Sequence, residues 1–256
     1  MKHLTISEDA KIYTVTLDRP PVNAINTGLV NELYQAANKI SSDENARVVL
    51  LTGNGKQFCA GADLKERKTM SEDEVREYIK KIRTCFYEWY SIPIPTICAM
   101  NGGTYGGGLE LALMCDIRYI VHEAKLGLRE TRLGIIPGAG GTQRLSRIAG
   151  ESVALKWVMS GQVFTAQNAL NDGVVDKVLP TADLTDEATN LAREFLRAAP
   201  IAVRQAKKAI REGLELPFKE ALEFETGCYE KTIPTEDRRE ALRAFAEKRD
   251  PNWTGK

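Results

Sequence analysis

Two glutamates stand in sequence settings where a carboxyl group can do chemistry. Glu110 lies in the first turn of an otherwise apolar predicted helix, and Glu130 lies in a loop 20 residues later. A buried glutamate is costly unless it is paired or functional. Because both follow predicted strands, the two carboxyls can converge on one site, hold one water and divide the base and acid roles. The alternatives are a solvated Glu110 at a helix N-terminus and two glutamates that never meet.

Small residues near Glu110 can present backbone N–H groups to a ligand. Gly106 and Gly107 lie where a predicted strand meets the Glu110 helix, whose first N–H groups have no intrahelical partner. Residues 58–65 (FCAGADLK) follow another predicted strand and also expose the backbone. One N–H from each segment can jointly hold a developing oxyanion. Ordinary tight turns are the alternative.

Motifs of several other chemistries do not occur in the sequence. It contains no G-x-G-x-x-G after a strand, no P-loop, no G-x-S-x-G and no H-E-x-x-H, and its only histidines are His3 and His122. The five cysteines form no C-x-x-C pair, so we expect reduced core thiols and no metal site. Carboxylates and backbone groups are therefore the candidates for catalysis.

Composition narrows the class of protein. The chain has 256 residues, of which 43% are hydrophobic and 27% charged, as in one folded unit with a sizeable core. Thirty-five Lys and Arg balance 35 Asp and Glu, which argues against a nucleic-acid partner. No apolar run approaches the ~18 residues of a membrane span. Since the N-terminus also lacks the apolar core of a signal peptide, we expect a cytoplasmic protein without a membrane partner.

Hydrophobic patterns predict an α/β body followed by helices. Predicted strands span 12–17, 47–52, 95–101, 117–121 and 174–178. Predicted helices span 27–40, 71–90, 107–115, 155–159, 166–170, 183–198, 202–214, 217–232 and 236–248. Ser71 and Glu74 predict a capping box at the start of the second helix. We therefore expect an α/β core over 1–199 and a helical extension over 200–256 that is not an independent domain.

Four stretches together resemble the crotonase superfamily, also called the enoyl-CoA hydratase/isomerase family. They are FCAGADLKE (58–66), NGGTYGGGLELALMCDIRY (101–119), LGLRETRLGIIPGAGGTQRL (126–145) and TIPTEDRREALRAFAEKR (232–249). Within the family, the similarity points to short-chain enoyl-CoA hydratase and methylglutaconyl-CoA hydratase. The resemblance implies a spiral of repeated ββα units, then a C-terminal all-helical region that forms a homotrimer or a homohexamer (a dimer of trimers).

The resemblance also implies an activity. The protein would be a hydro-lyase (EC 4.2.1 class) of fatty acid metabolism that adds water across the 2,3-double bond of short or branched 2-enoyl-CoA thioesters to give 3-hydroxyacyl-CoA. The backbone N–H groups of Ala62 and Gly107 would form the oxyanion hole. Glu110 would activate water, and Glu130 would share it and protonate the α-carbon. No cofactor is implied, because coenzyme A is part of the substrate.

Further positions match the family's substrate contacts. These are Val22, Ala24, Ala60, Ala62, Asp63, Leu64, Lys65, Gly106, Gly107, Pro137, Gly138, Phe245 and Lys248. The early loop is one residue shorter than the family's common pattern. Lys65 would approach the nucleotide phosphates, and a neighbouring subunit would contribute Phe245 and Lys248 to that pocket.

Three other functions stay open. The first is a methylglutaconyl-CoA hydratase of leucine degradation, in which Arg129 or Arg132 would receive an extra substrate carboxylate. The second is a Δ3-Δ2-enoyl-CoA isomerase, although members that only isomerise often lack one of the two glutamates. The third is a non-catalytic acyl-CoA-binding module. The presence of both Glu110 and Glu130 favours hydration.

Overall fold

A computed structural model describes residues 1–256 and shows a mixed α/β fold with two sheets. The larger sheet has six strands in the order β1 (Leu4–Asp9), β2 (Ile12–Leu17), β3 (Val48–Gly53), β5 (Thr96–Met100), β7 (Ile117–Val121) and β10 (Lys177–Leu179). Only β1 is antiparallel to its neighbour. The central strands are continuous apolar runs because both of their faces are covered, and every residue of β5 is buried.

The smaller sheet collects one short strand from each turn of the chain. Its order is β4 (Gln57–Cys59), β6 (Gly103–Tyr105), β8 (Lys125–Gly127) and β9 (Phe164–Thr165), of which the first three are parallel. Each of β4, β6 and β8 directly follows a strand of the larger sheet and precedes a helical segment. The chain thus repeats a ββα unit three times, and the predicted spiral is confirmed.

Helices and one short turn surround the sheets. They are α1 (Thr27–Ser42), α2 (Leu64–Lys68), α3 (Glu72–Ser91), α4 (Gly107–Met114), the 3₁₀ turn Glu130–Leu133, α5 (Gly141–Ala149), α6 (Glu151–Ser160), α7 (Ala166–Asn171) and α8 (Leu184–Leu196). The predicted capping box of α3 is confirmed, since Ser71 Oγ accepts from the Glu74 N–H and the Glu74 carboxylate accepts from the Ser71 N–H. Helix α4 is apolar on all sides and is buried along its whole length, which carries Glu110 into the interior.

Three further helices form the C-terminal region. They are α9 (Pro200–Gly213), α10 (Phe218–Glu230) and α11 (Glu236–Glu247), in agreement with the helical extension predicted there. Helix α9 docks on the body through cations: Lys207 Nζ and Arg211 Nη2 donate to the two oxygens of Asp116 at 2.7 and 2.6 Å. Helix α10 then packs on α9.

The strand predicted over 174–178 is wrong in position, because β10 spans Lys177–Leu179. Val174 and Val175 are buried, but their N–H groups donate to the Ala169 carbonyl in α7, at 2.8 and 3.3 Å. Their apolar character therefore reflects burial at the end of a helix and not pairing within a sheet.

One hydrophobic core of 54 residues extends through the two sheets and the helices packed on them. All five cysteines are buried, as predicted for core thiols. None of the helices combines the length and the apolar character that crossing a membrane requires.

Candidate active site

A cavity of about 720 Å³ lies where the segments after β4, β6 and β8 meet α3 and α4. Its size is typical of a small-molecule site. Glu110 and Glu130 are the only acidic residues in its lining, and both predicted catalytic carboxyls therefore reach one site. The other lining residues are Ala60, Gly61, Ala62, Leu64, Arg67, Lys68, Val75, Tyr78, Ile79, Ile82, Tyr105, Gly106, Gly107, Arg129, Arg132, Leu133, Ile135, Ile136, Gly138 and Ala139.

Ala62 lines this cavity, and its backbone N–H is left free by a short parallel bridge with Ile25. The Ile25 N–H donates to the Gly61 carbonyl at 2.7 Å, and the Asp63 N–H donates to the Ile25 carbonyl at 2.9 Å. In a parallel bridge of this kind the middle residue points its own N–H away from the partner strand. Ala62 therefore has a backbone donor that is not used by the bridge, as the oxyanion-hole prediction requires.

A second free donor lies beside it at the start of α4. Gly107 is the first residue of that helix, so its N–H has no intrahelical partner and lies at the positive end of the helix dipole. A β-carbon built on Gly107 would lie 3.9 Å from the Ala62 nitrogen, which shows how closely the two segments approach. The structure thus brings the two predicted oxyanion donors together.

The close approach of Ala62 and Gly107 depends on Gly61, the residue before Ala62. Gly61 has φ +87°, a conformation that L side chains rarely adopt. A β-carbon there would also lie 2.7 Å from the Tyr105 carbonyl oxygen and 3.4 Å from the Gly107 nitrogen. A side chain at this position would force the loop after β4 away from the start of α4.

The carboxyl group of Glu110 is held at one oxygen only. The side chain is 3% exposed, and its Oε1 accepts hydrogen bonds from the N–H groups of Ala139 and Gly141, both at 2.8 Å. No protein group donates to Oε2, and Glu110 lines the cavity. Gly141 fits closely here, since a β-carbon on it would lie 3.0 Å from Glu110 Oε1. One oxygen thus orients the carboxyl, and the other is available for a water or a substrate.

The carboxyl group of Glu130 has a different environment. Its backbone begins the 3₁₀ turn after β8, and its Oε2 is buried without a hydrogen-bond partner. Its Oε1 lies against the backbone of Gly106, where a β-carbon would come within 2.9 Å. Gly106 has φ +49° and immediately precedes the Gly107 donor. Glu130 is therefore next to the oxyanion donors and has no ion-pair partner.

Burial raises the pKa of both carboxyl groups. Burial, assisted by the negative charge of Glu130, raises the pKa of Glu110 to about 7, although the N–H groups of Gly141 and Ala139 act in the opposite direction. Burial also raises the pKa of Glu130 above its ordinary value. Two carboxyls whose pKa values are both raised, in one cavity, can exchange protons with a bound water.

The predicted substrate contacts divide into two groups. Those in the cavity lining are Ala60, Ala62, Leu64, Gly106, Gly107 and Gly138. Those outside it are Val22, Ala24, Asp63, Lys65, Pro137, Phe245 and Lys248. Phe245 projects from α11 with 86% of its surface exposed, and Lys248 follows that helix with φ +53°. The contacts of this second group with coenzyme A stay predictions.

One wall of the cavity was missed by the sequence reasoning. Val75, Tyr78, Ile79 and Ile82 of α3 form it, and Tyr78 also donates its hydroxyl to the Ile25 carbonyl at 2.9 Å. Their spacing of three and four residues was a sign of a buried helix face. Nothing in that spacing distinguishes a face that packs on a core from one that lines a cavity.

Basic residues are also more numerous in the lining than predicted. Arg67 and Lys68 of α2 line the cavity together with Arg129 and Arg132. The Arg67 guanidinium stacks over the Tyr78 ring at 5.0 Å. No group of three or more His, Cys, Asp or Glu has the geometry to hold a metal ion. An anionic ligand in the cavity would therefore meet guanidinium and ammonium groups as well as backbone N–H donors.

Comparisons with known proteins agree with this geometry. The family model described as enoyl-CoA hydratase/isomerase matches residues 7–256. The chain is 45% identical over 249 residues to the probable mitochondrial enoyl-CoA hydratase 2 of Arabidopsis thaliana, covering 96% of this chain and 83% of that protein. It is 44% identical over 238 residues to the human mitochondrial methylglutaconyl-CoA hydratase, covering 91% of this chain and 70% of that protein.

Solved structures show the same fold. The crystal structure of enoyl-CoA hydratase from Bacillus anthracis superposes with a TM-score of 0.97 at 42% identity, covering 99% of this chain and 100% of that one. The relatives named as enoyl-CoA hydratases are hydro-lyases, the enzyme class predicted from the sequence. The resemblance that carried the sequence analysis is confirmed at the level of fold and family.

Proposed function

The chain belongs to the enoyl-CoA hydratase/isomerase family, and on that premise we propose that it hydrates short or branched 2-enoyl-CoA thioesters to 3-hydroxyacyl-CoA. The observation that carries the proposal is the placement of Glu110 and Glu130 in one cavity with two free backbone donors. Members of the family that only isomerise often lack one of the two carboxyls. The presence of both supports a hydratase.

The first step is binding of the thioester carbonyl. Addition of water to a conjugated thioester builds negative charge on the carbonyl oxygen, and the N–H groups of Ala62 and Gly107 would donate to it. Such preorganised donors stabilise the enolate without reorganising during the reaction. Removal of one comparable donor in other enzymes costs roughly 3–4 kcal/mol, so this pair supplies a large part of the acceleration.

The two carboxyls then divide the proton transfers. The N–H groups of Ala139 and Gly141 favour the ionised form of Glu110, which takes a proton from water as the water oxygen bonds to the β-carbon. Glu130, whose buried Oε2 has no donor, favours its protonated form and gives that proton to the α-carbon. The turnover leaves Glu110 protonated and Glu130 ionised, and a proton passed through the next water restores the starting state. No cofactor beyond the coenzyme A of the substrate takes part.

The direct test is the absorbance of the conjugated thioester. Crotonyl-CoA mixed with micromolar enzyme should lose that absorbance, and the product should be 3-hydroxybutyryl-CoA. Saturated butyryl-CoA serves as the control that binds without reacting. Binding of both thioesters with no change in crotonyl-CoA would instead favour an acyl-CoA-binding module.

A second candidate is hydration of a substrate with an additional carboxylate, such as 3-methylglutaconyl-CoA. The observation that favours it is the group of basic residues in the lining, Arg67, Lys68, Arg129 and Arg132. The identity to the human protein named methylglutaconyl-CoA hydratase supports it as well. A panel of linear, branched and dicarboxylic enoyl-CoA thioesters separates the two, because only the second predicts a kcat/KM for 3-methylglutaconyl-CoA above that for crotonyl-CoA.

We further propose that the active form is a homotrimer or a dimer of trimers. The C-terminal helices expose large apolar side chains that a single chain leaves in water, among them Leu214 (79% exposed), Phe218 (80%) and Phe245 (86%). In such an assembly Phe245 and Lys248 would reach the nucleotide pocket of a neighbouring copy. Light scattering at micromolar concentration tests this, and a monomeric mass would contradict it.

A further inference from the structure

The short turn that carries Glu130 is fastened to the end of α6 by the two residues that follow the glutamate. Thr131 Oγ1 donates to the Val158 carbonyl at 2.9 Å, and Arg132 Nε donates to the Ser160 carbonyl at 3.0 Å. Both carbonyls belong to the last turn of α6, where the backbone oxygens have no intrahelical donor. These side-chain bonds thus satisfy otherwise unpartnered carbonyls and join two segments nearly 30 residues apart.

Glu130 has little else to fix its position. Its carboxyl accepts no side-chain bond, and its Oε2 is buried without a partner. The 3₁₀ turn Glu130–Leu133 has four residues and is too short to be stable by itself. Its closing bonds are few and lie at the long end of the normal range: the Arg132 N–H donates to the Arg129 carbonyl at 3.1 Å, and the Gly134 and Ile135 N–H groups donate to the Thr131 and Glu130 carbonyls at 3.2 Å. The position of the carboxyl is therefore set through the backbone and its attachment to α6.

The attachment is tight because α6 ends in a left-handed glycine. Gly161 has φ +53°, and a β-carbon on it would lie 2.9 Å from Thr131 Oγ1 and 2.8 Å from Arg132 Cγ. The end of α6 is itself held by Trp157, whose ring stacks on Phe164 at 4.1 Å. The end of α6, which is packed against the protein interior, therefore holds Thr131 and the turn that carries it.

We propose that Thr131 is a positioning residue for Glu130, acting through its hydroxyl bond to the last turn of α6. The inference rests on the proposed hydratase function and goes beyond it, since Thr131 does not line the cavity. Loss of the hydroxyl frees the Val158 carbonyl and loosens the turn. The Glu130 carboxyl then spends less time where it can deliver a proton to the α-carbon.

The test compares Thr131→Val, which keeps the shape and removes the donor, with Thr131→Ser, which keeps the donor. A displacement of the order of 1 Å at a reacting group reduces turnover by up to about 100-fold. We therefore expect Thr131→Val to lower kcat for crotonyl-CoA by about 10- to 100-fold with KM nearly unchanged, and Thr131→Ser to restore most of it. Thr52→Val is the matched control, because Thr52 Oγ1 also donates to a carbonyl, that of Ala99 at 2.8 Å, and is not in the cavity lining.

Two further measurements distinguish a loss of Glu130 positioning from a general loss of structure. In a Glu130→Gln background, Thr131→Val should cause no additional loss of kcat. In protein labelled with ¹³C at the glutamate carboxyls, the Glu130 resonance, assigned by its absence in Glu130→Gln, should titrate at a lower pKa in Thr131→Val because the carboxyl leaves its buried position. If Thr131→Val does not fold by circular dichroism, Thr131→Ala replaces it.

Three results would overturn the proposal. They are a wild-type kcat in Thr131→Val, an equal loss in the Glu130→Gln background, and an unchanged titration of Glu130. A wild-type protein that does not hydrate crotonyl-CoA would refute the proposed function instead. The titration would still test the link between Thr131 and Glu130 in that case.

Discussion

Arg19 and Asp63 form an ion pair in which Nη2 donates to Oδ2 at 2.7 Å across 44 residues of sequence. The same guanidinium donates through Nη1 to the Ala24 carbonyl at 2.9 Å. Asp63 also accepts from the Lys65 N–H at the start of α2 and directly follows Ala62. The pair therefore clamps the loop before α1 to the segment that carries one of the two oxyanion donors.

Breaking this pair should reduce both stability and turnover. Arg19→Gln leaves a largely buried carboxylate without its cation, and hydrogen bonds to charged groups contribute about 1.5–3 kcal/mol. We expect a loss of about 2 kcal/mol in urea unfolding and a lower kcat. Although burial raises it, the hydrogen bonds from Arg19 and the α2 backbone hold the pKa of Asp63 below its ordinary value. The stabilisation is thus present at neutral pH and is lost as the pH falls through the folded-state pKa.

The control for that variant is Arg76→Gln. Arg76 pairs with Glu72 and Asp73, but all three side chains are mostly exposed. Exposed pairs contribute little, so this variant should keep nearly the wild-type midpoint. Equal effects of the two substitutions would contradict the clamp described for Arg19.

Replacement of either cavity glutamate should abolish most hydration while leaving binding intact. Glu110→Gln and Glu130→Gln each remove one proton-transfer group, and such groups contribute typically about 10²–10⁴-fold. Turnover of crotonyl-CoA measures the loss, and calorimetry with butyryl-CoA measures binding. Glu123→Gln, an exposed glutamate after β7, is the control. Near-wild-type turnover in either cavity variant would refute the two-carboxyl mechanism.

The rate should depend on pH near neutrality. Glu110 acts in its ionised form with a pKa of about 7, so kcat/KM should rise as the pH increases through that region. Glu130 acts in its protonated form, which burial favours, so ionisation of that carboxyl should lower the rate. Steady-state rates from pH 5 to 9 test this, and a profile without the rising limb would argue against Glu110 as the base.

The same carboxyl should make the folded state less stable at alkaline pH. The pKa of Glu110 is raised in the folded protein from 4.5 to about 7, so the folded state binds more protons between those values than the unfolded state. Stability therefore decreases as the pH rises through this window, by up to roughly 3 kcal/mol for such a shift. Glu110→Gln should lose this dependence and exceed the wild type in stability at pH 8. Urea unfolding at pH 5 and pH 8 measures it, and parallel changes in both proteins would contradict the assignment.

Gly61→Ala should separate the two oxyanion donors. It adds a β-carbon 2.7 Å from the Tyr105 carbonyl at a φ of +87°, and strained backbone positions of this kind cost about 1–3 kcal/mol. We expect lower stability and a marked loss of kcat. Gly55→Ala is a matched control, because Gly55 has φ +83° but nothing within 4 Å of the added carbon. A similar fall in kcat for both variants would argue against a role for the close approach at Gly61.

The sequence favoured a buried Glu110 but left a solvated one at the helix N-terminus open. The other residues of its helix are apolar or glycine, which favours covering the whole helix, and the structure leaves Glu110 only 3% exposed. The hydrogen bonds that orient it were not predictable. They come from Ala139 and Gly141, about 30 residues away, and no local pattern indicates which backbone groups will meet a carboxyl.

Most strands of the larger sheet could also be predicted from the sequence, whereas those of the smaller sheet could not. The strands predicted at 12–17, 47–52, 95–101 and 117–121 correspond to β2, β3, β5 and β7, because their length and apolar character are typical of covered parallel strands. Strands β4, β6 and β8 have three residues each and show no periodicity to detect. Their pairing depends on the return of the chain after each longer strand, which is a property of the tertiary fold.

The docking of α9 has a consequence for assembly. Arg204, Lys207 and Arg211 lie on one face of this helix and donate to backbone carbonyls of the body, including those of Ala46 and Ile94. Hydrogen bonds have direction, so they fix the rotation of α9 about its axis more strictly than apolar packing would. Helix α10 packs on α9, so the rotation of α9 also sets the direction in which the exposed apolar residues of α10 point. In a ring of copies, this polar joint inside each chain would therefore fix the direction in which the apolar residues of α10 face a neighbour.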